Sequence, residues 1–108
     1  MITRIYGASD DLIEIDGQIS DEVDAYSSSD EPIKFKTSNG TKGNITYDGE
    51  WKITITEEGS DFVKVIESVG DDNDHTEENT KDVPPYSDVL ILDGELEWVK
   101  IKGKKLKS

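Results

Sequence analysis

Residues 44–67 read NITYDGEWKITITEEGSDFVKVIE. Trp51, Ile53 and Ile55 alternate with Lys52, Thr54 and Thr56. That period of two puts apolar side chains on one face of an extended strand and polar ones on the other. Ile45 and Tyr47 pair in the same way before it, and Phe62 to Glu67 is a further β-rich run after it. Asp48-Gly49 and Glu58-Gly59 separate the three runs, and acid-glycine pairs are turn chemistry. Three strands with short turns between them form a meander of antiparallel neighbours.

The same pattern extends outward. Pro32 opens PIKFKT, with Ile33 and Phe35 opposite Lys34 and Lys36, and Asn39-Gly40 predicts a tight hairpin turn. Near the start, Thr3 and Ile5 face away from Ile2, Arg4 and Tyr6. Leu12 to Asp16 alternates again, with Ile13 and Ile15 together. The intervening Gly7-Ala-Ser-Asp-Asp11 reads as a turn: it has no lysine for a phosphate loop, and its adjacent carboxylates would point apart in an extended chain. Residues 19–26 fit either one short helix, with Ser20 as cap, or an edge strand. Val89 to Leu92 is an apolar run, Asp93-Gly94 a turn, and Leu96 to Ile101 a last strand.

The expected fold is mostly β: a small antiparallel β-sandwich or partly open barrel of about seven to nine short strands, with at most one short helix near 19–26. Residues 1–102 make one β-rich domain carrying an acidic loop at 70–87, and 103–108 form a lysine-rich tail expected to fray. The expected core is Ile5, Ile13, Ile15, Ile33, Phe35, Ile45, Tyr47, Trp51, Ile53, Ile55, Val63, Val65, Val89, Ile91, Leu96, Trp98 and Ile101.

Charge narrows the function. Twenty-five acids face twelve basic residues in 108, a formal net charge of -13. Residues 1–31 hold nine acids and only Arg4, whereas 100–107 hold five lysines and no acid. Such a field repels nucleic-acid phosphate and anionic lipid and favours basic protein surfaces. Direct nucleic-acid binding is therefore disfavoured. Lys34, Lys36, Lys52 and Lys64 read instead as partners of nearby acids, and Phe35, Tyr47 and Trp51 as core. No membrane segment is expected, since no apolar run approaches roughly 18 residues. With no cysteine and no secretory leader, the expected setting is cytoplasmic.

The carboxylates are plentiful, and none stands out as a positioned acid or base. Glu95 and Glu97 read as decoration of a strand's solvent face, so no enzyme is expected. No cofactor is implied either. The expected function is a non-catalytic acidic protein-binding or regulatory module that docks on a basic protein surface. Its contact residues would be Asp10, Asp11, Glu14, Asp16, Asp21, Glu22, Asp24, Asp30 and Glu31. Glu14 and Asp16 lie opposite Ile13 and Ile15, which leaves them outward if the isoleucines are core. Two alternatives share this composition. A rigid acidic sheet can act as a nucleic-acid mimic, inhibiting a DNA- or RNA-binding protein. Asp71, Asp72, Asp74, His75 and Glu77 could bind a divalent cation weakly, although their spacing matches no defined ligand motif. An exposed edge strand would also offer a route to a homodimer.

Overall fold

The computed structural model describes residues 2–9, 12–16, 22–24, 32–69, 87–101 and 103–107. These form strands β1 (Ile2–Ser9), β2 (Leu12–Ile15), β3 (Glu22–Asp24), β4 (Ile33–Thr37), β5 (Lys42–Tyr47), β6 (Trp51–Glu57), β7 (Phe62–Val69), β8 (Ser87–Asp93), β9 (Leu96–Ile101) and β10 (Lys104–Lys107). The described residues contain no helix. The order across the sheet is β10-β9-β4-β5-β6-β8-β1-β2-β3, with β7 also paired to β8. The sheet curls into an open half-barrel. Short β3 and β10 are the two ends of this order, and the other eight strands make the body.

Residues 22–24 are an edge strand on β2, the second of the two readings for that stretch. One segment differs from expectation. Lys104–Lys107, expected to fray, pairs with β9, with Leu106 opposite Val99.

Pairing among the described strands is antiparallel except at one point, where Trp51 of β6 meets Ser87 of β8 in parallel. That point divides the sheet into two wings. The first is β3-β2-β1-β8-β7 and the second is β10-β9-β4-β5-β6. At the seam, side chains replace the missing ladder. The buried Asp88 carboxylate accepts the Ile53 backbone N–H at 2.9 Å. Beside it, within the first wing, Ser87 Oγ donates to the Gly7 carbonyl at 3.2 Å and extends the β1–β8 pairing. Trp51 lies directly on Gly7, where a Cβ would stand 1.8 Å from the indole Cδ1. Gly7 is thus a packing glycine inside β1, and Ser9 still belongs to the strand, with a register irregularity before it. Only Asp10 and Asp11 separate β1 from β2, and they lie outside the described residues.

The opposite end is closed by a polar knot around Asp61, which is 1% exposed. Thr41 Oγ1 donates to Asp61 Oδ1 at 2.7 Å and accepts from the Gly59 N–H at 2.9 Å. The Ser60 N–H donates to the Asn39 carbonyl, Ser38 N–H to that of Glu95, and Asp93 N–H to that of Asp61. Thr3 Oγ1 donates to the Gly94 carbonyl at 2.7 Å. The β4–β5, β6–β7 and β8–β9 turns are thereby tied together. Burial alone would raise the Asp61 carboxyl. The donors gathered around it, Thr37 and Thr41 first and then the Asp61 and Asn39 backbone, outweigh burial and hold the group below the usual carboxylate range, although only Oδ1 is within hydrogen-bond distance of a donor among the described residues.

One apolar cluster fills the space between the wings. The first wing contributes Ile5, Ile13, Ile15, Leu90 and Leu92; the second contributes Ile33, Phe35, Ile45, Trp51, Ile53, Leu96, Val99 and Ile101. Tyr47, Ile55 and Val65 pack against it, partly buried. Tyr6, Val89 and Ile91 form a second cluster on the outer side of the first wing. Strand β8 is therefore buried on both faces from Ser87 to Leu92.

Two core assignments are corrected. Val63 is 44% exposed, and Trp98 is only half-buried on the outer side. Both sit beside register slips, between Phe62 and Lys64 in β7–β8 and opposite Lys36 and Thr37 in β4–β9. A bulge inserts one residue and inverts the alternation beyond it.

Candidate functional site

The outer side of the first wing carries two of the acids singled out from sequence, Glu14 and Asp16. Alternation in β2 turns Ile13 and Ile15 inward and leaves Glu14 and Asp16 half-buried on the outer side. Register sets Tyr6 of β1 opposite Glu14, and Glu14 opposite Glu22 of β3. Asp24 stands opposite Leu12. Asp10, Asp11, Asp21, Asp30 and Glu31 lie outside the described residues.

Glu14 and Asp16 are not simply solvated. The Arg4 guanidinium donates through Nε to Asp16 Oδ2. The same guanidinium lies 5.1 Å from the centre of the Tyr6 ring, a cation–π contact worth about 0.5–1 kcal/mol at a partly exposed site. The Tyr6 hydroxyl hydrogen-bonds the Glu14 carboxylate. Burial, then that bond and the nearby acids, push the Tyr6 hydroxyl far above its ordinary value of 10.0. The two carboxylates are thus held in place, and each keeps acceptor sites beyond those already used. Arg4 and Tyr6 were not chosen from sequence. The available signal was that Arg4 is the one base in 1–31 and shares a strand face with Tyr6.

The outer side of the second wing has the opposite character. Lys105, Lys100 and Lys34 stand in register across β10, β9 and β4, and Lys36 and Trp98 form the next row. Lys105 Nζ lies 4.9 Å from the centre of the Trp98 ring. Lys36 pairs with Glu97 at 3.3 Å, Lys42 with Glu57 at 3.5 Å, and Lys52 with Glu50 at 3.8 Å. Among the described residues no carboxylate is in ion-pair reach of Lys34, Lys100 or Lys105. A shallow cleft bounded by Pro32, Lys34, Lys100 and Gly103 has a volume of about 20 Å³, on the scale of a water molecule. Lys64 belongs to the other wing, opposite Ile91. Glu95 and Glu97 are both exposed.

Among the described residues no three His, Cys, Asp or Glu side chains converge as a metal-holding group. Asp71, Asp72, Asp74, His75 and Glu77 lie outside those residues. Among the described residues no helix is long and apolar enough to cross a membrane. Comparisons with protein families, curated proteins and solved structures give no match.

Proposed function

We propose that this chain is a non-catalytic binding module whose acidic β1–β3 flank docks on a basic protein surface. One observation carries the reading: Glu14 and Asp16 are oriented outward by β2 and held there by Tyr6 and Arg4. Carboxylates already fixed lose less conformational freedom on binding than free ones. The net charge of -13 supplies long-range steering toward a cationic partner. Acids at the rim of such a complex act mainly on association rate.

The test is affinity capture from a lysate at moderate salt, followed by kinetics with the captured protein. A defined basic partner is expected, with association slowed about tenfold in the double variant Glu14→Gln, Asp16→Asn. Release of every bound protein together on modest salt addition would overturn the reading. Displacement by excess duplex DNA or RNA would convert it into nucleic-acid mimicry.

A further inference from the structure

The two ends of the sheet are complementary. At one end β3 reads Glu22-Val23-Asp24; at the other, β10 contains Lys105-Leu106-Lys107. Among the described residues each pairs on one side only, β3 with β2 and β10 with β9. Each leaves a row of backbone N–H and C=O groups without a strand partner, which is a template for adding a strand.

We propose that copies of this chain join head to tail, with β3 of one added antiparallel to β10 of the next. The register that fits sets Asp24 opposite Lys105, Val23 opposite Leu106 and Glu22 opposite Lys107. Opposite charges facing across strands stabilise a sheet, and an apolar pair lies between them. The rows also continue across the junction. Val23 stands opposite Ile13 in its own copy and Leu106 opposite Val99, and Ile13 and Val99 are both 1% exposed on the inner face. The row Lys34–Lys100–Lys105, three like charges in register, acquires Asp24 at its end.

Charge also rejects the alternatives. Two β10 strands would set lysine against lysine, and two β3 strands acid against acid. The symmetric dimer is thereby disfavoured, which leaves a heterologous contact that closes to a ring or extends as a filament. Whole copies repel, each at -13. At physiological ionic strength that repulsion is screened beyond about 8 Å, whereas cross-strand partners stand about 5 Å apart. Association is therefore favoured at physiological salt and opposed at low salt.

This goes beyond docking on a basic protein, and its test is separate. The full chain is followed by sedimentation velocity from low micromolar to millimolar concentration at physiological salt. Average mass is expected to rise at least twofold. The variant Lys105→Glu, Lys107→Glu makes both ends acidic, and Glu22→Lys, Asp24→Lys makes both ends basic. Each alone is expected to stay monomeric while keeping its β-sheet circular dichroism, and an equimolar mixture to associate again. The first variant leaves the acidic flank intact, so retained binding of a basic partner would separate the two proposals. A wild-type chain that stays monomeric would overturn head-to-tail joining, whether its ends meet within one copy or are blunted by their charges. So would a mixture that fails to associate, or variants that associate as the wild type does.

Discussion

The two wings present their outer sides differently, although they share one core. In the second wing the outer side reaches solvent: Lys34, Lys52, Thr54 and Lys100 are exposed, while Lys36, Asn44 and Trp98 are half-buried. In the first wing the outer side is itself packed. Tyr6, Val89 and Ile91 are at most 3% exposed beneath the Arg4–Asp16 and Tyr6–Glu14 contacts. The same alternation therefore means two things. In the second wing it separates core from solvent; around Tyr6, Val89 and Ile91 in the first it separates one buried cluster from another, and polar groups there must find partners within the protein.

The sharpest way to break this contrast is to truncate an outward residue in each wing. Ile91→Ala should destabilise by about 2–5 kcal/mol, as a core deletion does, whereas Thr54→Ala should stay within about 0.5 kcal/mol. Urea denaturation of both variants measures this, and equal effects would erase the distinction. Next in size is the seam between the wings. Asp88→Ala leaves the Ile53 N–H without its acceptor and should cost about 1–3 kcal/mol. Asp88→Asn keeps an acceptor and should cost less. The smallest effect separates the wings by pH. The Tyr6 hydroxyl stays protonated in the fold to higher pH than in the unfolded chain, so folding is fully supported below pH 10 and loses support as pH rises above it. The loss can be no steeper than about 1.4 kcal/mol per pH unit, the limit for one proton. Tyr6→Phe should flatten that limb of the stability–pH curve, and an unchanged limb would refute the assignment.

The contrast also explains what was legible in the sequence. The second wing could be read because β4, β5 and β6 alternate cleanly and their turns carry Asn39-Gly40 and Asp48-Gly49. Strand β8 could not be phased, because Val89 to Leu92 has no polar residue to show which side faces out. Leu90 and Leu92 were missed as core for that reason. Val63 and Trp98 failed because a bulge leaves no mark in composition. Gly7 looked like turn chemistry, and its actual partner, Trp51, is distant in sequence. At the candidate site the outward direction of Glu14 and Asp16 was readable from Ile13 and Ile15. Their restraint by Arg4 and Tyr6 was not, since it depends on the β1–β2 register.

The pairing of β1 with β8 has a further consequence for how the chain is made. Ile2 meets Asp93, so β1 finds one of its two neighbours only after the roughly ninety residues between them have been made. The N-terminal hairpin must wait, with one side of β1 bare, while β4 to β6 can already zip up locally. Long-range pairing of this kind places folding in the slow, millisecond-to-second regime. The waiting hairpin is then the part a nascent-chain chaperone would be expected to hold.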